Sequence, residues 1–405
     1  MKLGSPATGD DFFGRTQELK ELWCYLEKEH IRFPGVRRLG KTSILQRLEE
    51  DAAEHGLMAK WLDVSSIDSA QGVVTLLDQA FPEKSISRFV SDKAQQVRRW
   101  LNIVRKVNFK LPEEAGGGGF GFELAESAAP EWQTAADTLH IRLRNKPLLI
   151  LLDEFPVMLE KLVQRNRQEA EQLLAWLRIW RQSHGVCRFV FTGSIGLQSL
   201  LERHSLGETM NDCHSYPLGP YKASEARGLW RSFAPMYDEI AWLVDDSVID
   251  YALNRVGWLS PYFLCLLLDE SIRVARTRRQ EFPAEATDEA RIEIEDVDDA
   301  YENLLAERSR FHHWEKRLKD VLSPDDFSFC VALLTLISRS SDGLSLSQLS
   351  SRLAKRDPDP DRRAQRLQDM LVRLTDEGYT STSDSNSRIQ FLSFPLRDWW
   401  SRNHV

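Results

Sequence analysis

The chain is poor in cysteine, has no long apolar run and carries no excess of positive charge. Its 405 residues include five cysteines: Cys24, Cys187, Cys213, Cys265 and Cys330. They are scattered, odd in number and contain no C-x-x-C pair, which excludes a disulfide framework and fits reduced thiols. The pairs His312-His313 and Cys213-His214 lack companions at metal-ligand spacing, so a zinc site is excluded too. The longest apolar stretches, such as residues 263–268, are far too short to cross a bilayer. Residues 1–15 hold no leader-like apolar core, so a cytoplasmic location without membrane attachment is expected. Lys and Arg number 53 against 61 Asp and Glu, a formal net charge of −8. That balance argues against a surface that coats nucleic acid generally, while a local basic patch stays open. With 42% hydrophobic and 28% charged residues, the composition is that of an ordinary globular protein of two or three domains.

Against these absences stands one dense motif. Gly35-Val36-Arg37-Arg38-Leu39-Gly40-Lys41-Thr42 is an unbroken G-x-x-x-x-G-K-[ST] phosphate loop. Its glycines let the backbone curl so that successive N–H groups point inward at phosphate oxygens. Lys41 is suited to reach the β/γ-phosphates and Thr42 to offer its hydroxyl to Mg²⁺. The helix opening at Ser43 aims its positive end at the same anion.

The flanking sequence predicts an α/β core. Leu19, Leu22, Trp23 and Leu26 recur at helical spacing. Ile31 to Phe33 is a poor first strand, interrupted by Arg32 and followed by Pro34. A helix from Thr42 to about Ala53 and a strand from Met58 to Val64 follow. The stretch 147–154 is a buried parallel strand ending in Asp153-Glu154, then a helical stretch runs to about Ser183. Residues 188–194 form another buried strand ending in Thr192-Gly193-Ser194. Alternating strands and helices imply a doubly wound parallel sheet with ligands at its carboxyl edge. Residues 93–110 are a basic amphipathic stretch with no acidic residue, including Arg98 and Arg99. Alternation around Gly116–Gly119 predicts a β-hairpin insertion near 107–124. After Pro217 the pattern is helical, and 281–302 holds ten acidic residues against one arginine. From about 320, three helices and a two-stranded hairpin make a winged helix-turn-helix pattern. The expected domains are a core at 1–220, an all-α lid at 221–318 and a winged helix at 319–405.

An NTP hydrolase needs a phosphate cradle, a metal shell and a group that orients the attacking water. Asp153 is the candidate Mg²⁺ ligand opposite Thr42. Glu154 is the candidate general base, and Thr192 or Ser194 could bond the γ-phosphate or the water. The candidate catalytic set is Lys41, Asp153, Glu154 and Thr192.

Several motifs together resemble the archaeal-type ATPases of the STAND and AAA+ division of P-loop proteins. They are Phe12-Phe13-Gly14-Arg15, the Gly35–Thr42 loop with its double arginine, Leu152-Asp153-Glu154 and Phe191-Thr192-Gly193-Ser194. The similarity continues through Arg255-Val256-Gly257-Trp258-Leu259-Ser260-Pro261-Tyr262-Phe263 and closes at Leu396-Arg397-Asp398-Trp399-Trp400. The resemblance implies ATP as the nucleotide, Phe13, Gly14 and Arg15 near the adenine, and Pro261 on the base or sugar. It also implies a P-loop core with a lid and a winged helix. One departure matters: many relatives carry an arginine just before the last core strand, whereas 210–216 here has none, and Arg203 lies upstream. An arginine finger is worth on the order of 10³-fold or more in turnover, so its lack favours a slow switch over a fast motor.

Two roles are consistent with these residues. One is a regulatory ATPase that acts through a protein partner or self-assembly. The other is a DNA-associated ATPase that holds duplex DNA with its winged helix or basic helix. From 325 to 405, eleven Lys/Arg face eleven Asp/Glu, and this neutrality favours the first role.

Overall fold

The computed structural model describes residues 5–108, 131–183, 185–193, 196–237, 240–281, 289–383 and 387–404. Two units can be separated. One comprises Thr8–Gly35 with Lys41–Leu218; the other comprises Val36–Gly40 with the chain from Gly219 onward.

The first unit carries α1 (Thr16–Leu26), β1 (His30–Phe33), α2 (Lys41–Asp51), β2 (Met58–Asp63), α3 (Ala70–Ala80), α4 (Glu83–Asp92), α5 (Ala94–Asn108) and α6 (Glu131–Leu143). It continues with β3 (Leu148–Asp153), α7 (Phe155–Arg165), α8 (Arg167–Gln182), β4 (Arg188–Thr192), α9 (Leu197–Arg203) and β5 (Cys213–Ser215). The strands form one parallel sheet in the order β2-β3-β4-β1-β5. Every residue of β3 is buried, as expected of a parallel strand covered by helices on both faces. Strand β1 tolerates Arg32 because that side chain is half-buried and donates to Gln198 Oε1 at 2.6 Å. Pro34 follows the last strand residue, so no ladder N–H is lost within β1.

This order decides where the chemistry sits. β4 pairs with β1 on one side and β3 on the other. The carboxyl ends of β1, β4 and β3 therefore stand side by side, and α2 packs on β2 and β3. Beneath β1, His30 ties two elements together. Its Nδ1 accepts from the Phe189 backbone N–H and its Nε2 lies 3.1 Å from the Arg181 carbonyl, each at 3.1 Å. Since Nδ1 must accept, the ring is the neutral Nε2–H tautomer. Burial, reinforced by the charges of Arg188 and Arg181, pushes its pKa down to about 3. Arg181 itself is buried and paired to Asp212, Nε to Oδ2 at 2.7 Å and Nη2 to Oδ1 at 2.8 Å.

Two expectations need adjustment. The helical stretch after Glu154 is two helices, broken at Asn166, whose extended backbone and side-chain bond to the Glu169 N–H at 3.2 Å cap α8. The hairpin expected at 107–124 lies outside the described residues from 109 onward. Val107 itself belongs to helix α5, because the apolar stripe of Val97, Trp100 and Val104 is buried at helical spacing.

The second unit carries α10 (Ala223–Phe233), β6 (Leu243–Val244), α11 (Asp246–Val256), α12 (Pro261–Glu281), β7 (Arg291–Ile292), α13 (Ile294–Ala306) and α14 (Arg308–Val321). It ends with α15 (Pro324–Ser338), α16 (Leu346–Leu353), α17 (Pro360–Asp376), β8 (Thr380–Thr382), β9 (Ile389–Phe391) and α18 (Phe394–Asn403). β8 and β9 are antiparallel, and Leu344 bridges to Ile389 beside them. Helix α18 packs on α15, α13 and α11, and the Tyr301 hydroxyl donates to Asp398 at 2.7 Å. The aromatic Trp399 and Trp400 are core. Among the described residues no helix is long and apolar enough to cross a membrane.

Candidate functional site

The 35–42 loop joins β1 to α2. Gly35 has no room for a side chain: a Cβ there would lie 3.1 Å from the Leu218 carbonyl oxygen. Gly40 is open on that side, but its φ of +87° is left-handed backbone that favours glycine. Arg38 also adopts a positive φ, +68°. Lys41 is buried, and its ammonium donates to the Gly35 carbonyl at 2.5 Å, across the loop it would close around an anion. Helix α2 begins at Lys41 and includes Thr42 and buried Ser43, so the helix N-terminus, the positive end of its dipole, directly follows the loop in the chain.

Within the second unit, the middle of the loop has its own partners. The Ser260 hydroxyl donates to the Arg38 carbonyl at 2.6 Å. The Arg38 guanidinium lies 4.2 Å from the Tyr262 ring centre, and its Nη2 is 3.1 Å from His313 Nε2. Arginine only donates, so His313 accepts and is neutral. Burial first, then Arg38 and Arg37, lower its pKa to about 4. Val36 packs against Gly378, where a Cβ would come within 2.9 Å of the valine Cβ. Leu39 is buried.

At the end of β3 the sequence candidates converge. Thr42 Oγ1 donates to Asp153 Oδ2 at 2.7 Å. The Glu154 backbone N–H donates to Asp153 Oδ1 at 3.0 Å. Asp153 is 3% exposed. Burial raises its pKa above the usual carboxylate range, and the neighbouring Glu154 charge adds to the rise while the Thr42 hydrogen bond opposes it. Glu154 is half-buried and sits in the left-handed region at φ 55°, ψ 29°, capping α7. That conformation costs a non-glycine residue roughly 1–2 kcal/mol. The turn is pressed from β4: a Cβ on Gly193 would lie 2.3 Å from Pro156 Cδ and 3.5 Å from Glu154 Cα.

Thr192, the candidate for the γ-phosphate or the water, has a partner within the sheet. Its hydroxyl, buried at the end of β4, donates to the Phe33 carbonyl at 2.7 Å. It thus fastens β4 to the root of the loop, and only its acceptor lone pairs remain for another partner. Ser194 lies outside the described residues. Sequence reasoning missed Trp61, whose indole N–H donates to Asp153 Oδ2 at 3.2 Å from the neighbouring strand β2.

Other candidates stand apart from this cluster. Gly14 and Phe12, with Trp23, Arg47 and His55, line an open groove of about 650 Å³. That groove contains none of Lys41, Thr42, Asp153 or Glu154. Phe13 is half-buried, and Arg15 is buried with its Nη1 on Glu18 at 2.7 Å. Pro261 is the first residue of α12, in the second unit. Arg203 pairs with Glu160 at 3.8 Å on the surface.

With the sheet order and loop in place, comparison with solved structures is decisive. The Walker-type ATPase of Pyrococcus abyssi superposes with a TM-score of 0.62 at 14% identity, covering 98% of this chain and 99% of that one. The Aeropyrum pernix ORC2 protein, solved as ADPNP–ADP complexes, superposes with a TM-score of 0.54 at 16% identity, covering 97% and 95%. This is a P-loop NTPase fold. No family model and no curated protein sequence matches the chain. In the P-loop fold described here, Lys41 and Thr42 follow the strand β1, and Asp153 ends a strand one place removed from it.

Proposed function

We propose that the protein binds ATP with Mg²⁺ and hydrolyses it slowly, as a switch that answers to a protein partner or to its own assembly. The observation that carries the nucleotide reading is the Thr42–Asp153 hydrogen bond at 2.7 Å, which joins the phosphate loop to a buried acid. The loop N–H groups and Lys41 would hold the phosphates. Thr42 and Asp153 fit a magnesium ion, which binds through few protein oxygens together with substrate phosphates. When bound, that ion neutralises charge developing on the phosphoryl oxygens. Glu154 would polarise the attacking water. Phe13, Gly14, Arg15 and Pro261 remain the proposed contacts to base and sugar. The ADPNP–ADP complexes of the Aeropyrum pernix protein support nucleotide as the ligand.

One feature supports slow switching: no arginine stands in 210–216, and Arg203 is engaged with Glu160. We read 1–220 as the ATPase core, 221–318 as the lid and 319–405 as a winged helix, in a cytoplasmic protein.

The arginines of α17 favour a protein partner over DNA. Arg362 is paired to Asp357 at 2.6 Å, Arg363 to the Asp357 carbonyl at 2.6 Å and Arg366 to Asp325 and Asp326, each at 2.7 Å. Arg373 reaches Glu377 at 3.4 Å. Cations already neutralised within the protein release few counterions from DNA. One observation keeps the DNA-associated alternative: Arg98 and Arg99 on α5 are exposed and make no ion pair among the described residues.

ATP turnover by the purified protein tests both readings, alone and with duplex DNA, with its mass in solution followed with and without ATP. Lys41→Ala should abolish or greatly weaken nucleotide binding, and Glu154→Gln should bind ATP without hydrolysing it. Normal hydrolysis by Glu154→Gln would remove the base assignment. Slow turnover indifferent to DNA, with a nucleotide-dependent mass, supports the switch; salt-sensitive stimulation by DNA supports the alternative.

A further inference from the structure

We infer that Trp61 is a positioning residue for the divalent-cation site, an assignment that rests on the nucleotide reading above. Counting lone pairs on Asp153 leads there. An ionised carboxylate offers about four in-plane acceptor positions, two on each oxygen. Oδ2 accepts from the Thr42 hydroxyl at 2.7 Å and from the Trp61 indole at 3.2 Å, so both of its positions are taken. Oδ1 accepts from the Glu154 N–H at 3.0 Å. The remaining position is on Oδ1, where a water held by the cation could donate.

Without the indole, Oδ2 regains a vacant lone pair and the carboxylate loses a restraint on rotation about its Cβ–Cγ bond. The acid then presents two equivalent choices to the metal shell instead of one. The sheet register supplies the reach: Trp61 is opposite Leu151, one side-chain repeat before Asp153 on the same face. The acceptor is also distinctive. Trp100 and Trp230 donate to backbone carbonyls and Trp400 to a threonine hydroxyl, whereas Trp176, Trp180, Trp314 and Trp399 leave their buried N–H groups without a hydrogen-bond partner among the described residues. Trp61 is only half-buried, where water could serve its N–H, yet it donates to the acid.

The test uses the full chain and a fluorescent ADP analogue, titrated with Mg²⁺ and, separately, in excess EDTA. Trp61→Phe keeps an aromatic ring and removes the donor. It should raise the Mg²⁺ concentration for half-maximal tightening of nucleotide binding by about tenfold, the usual scale for losing a partner of a metal ligand. Affinity in EDTA should stay within about twofold, since the phosphate loop is untouched. Trp61→His, which restores a ring N–H, should recover much of the loss and guards against a phenylalanine variant that folds poorly. A Trp61→Phe titration superimposable on that of the unsubstituted protein overturns the assignment. So does an equal loss in Mg²⁺ and in EDTA, which marks a structural role only. If the unsubstituted protein binds the analogue equally well in Mg²⁺ and in EDTA, the cation site falls and takes this assignment with it; if it binds the analogue in neither, the nucleotide reading itself falls.

Discussion

Replacing His30 by glutamine should remove about 2 kcal/mol of acid sensitivity from the sheet unit, a figure set by the histidine's two protonation equilibria. In the unfolded chain the imidazole takes up its proton near 6.5; in the folded protein that happens near 3. Between these values the unfolded state carries more protons, so stability rises with pH across the window and is lost on acidification. At pH 7.5 the histidine is neutral in both states and costs almost nothing. At pH 5 the unfolded chain is favoured by one and a half pH units, at about 1.4 kcal/mol each, hence the figure of about 2 kcal/mol. The main physical cause is burial of the ring beside Arg188 and Arg181, and Nδ1 is already an acceptor for the Phe189 N–H. Protonation would point a second donor at that N–H, in a buried site next to Arg188 and Arg181. Glutamine can both accept and donate but does not titrate. Denaturant unfolding of both proteins at pH 7.5 and pH 5.0 gives the difference between their two losses. The other histidines contribute equally to each protein and cancel. Equal losses, or an NMR titration of the His30 ring centred near 6.5, would refute the assignment of a buried neutral imidazole.

Gly193→Ala should destabilise the first unit by about 3 kcal/mol, because its Cβ would lie 2.3 Å from Pro156 Cδ in a helix start with little freedom to yield. A denaturation midpoint unchanged from the parent would show that β4 does not press on the Glu154 turn. Of the five thiols, Cys24 is exposed, whereas Cys187, Cys213 and Cys330 are buried. Burial pushes Cys213 up to about 12 and raises Cys187 and Cys330 likewise. An aromatic disulfide reagent at pH 8 should therefore find one fast thiol, abolished by Cys24→Ser, with the partly exposed Cys265 reacting more slowly and the buried three only on unfolding. Rapid modification of any of those three would contradict the packing.

The parts of the site that carry a sequence signature were legible, and the parts that depend on register were not. The loop glycines and Lys41 announce themselves through spacing, and Asp153 through its place at the end of an uninterrupted apolar run. Trp61 carries no such mark: in a short strand, an aromatic residue reads as core, and only pairing β2 with β3 brings its N–H to the acid. Thr192 was recognisable as a polar strand end, yet its partner, the Phe33 carbonyl, is 159 residues away in sequence. The break at Asn166 was legible in principle, as a capping residue inside an amphipathic pattern, but apolar residues on both sides masked it. The ion pairs of α17 depend on side-chain packing. Composition showed only that charges of both signs were present, not that each arginine already had a partner.

The strand order has a consequence for how this protein is made. β1 hydrogen-bonds only to β4 and β5 within the described sheet, and its register partners begin at Val190 and extend to Ser215. A ribosome adding about 5–20 residues per second needs on the order of ten to forty seconds to travel that far from β1. Throughout that interval the strand that feeds the phosphate loop has no neighbour to pair with, and the loop has no scaffold. Chain segments that close such long loops fold late and stay exposed to wrong pairings. The nascent chain therefore has no preformed phosphate cradle to offer a nucleotide, and synthesis must pass β4 before β1 has a first neighbour and β5 before it has both.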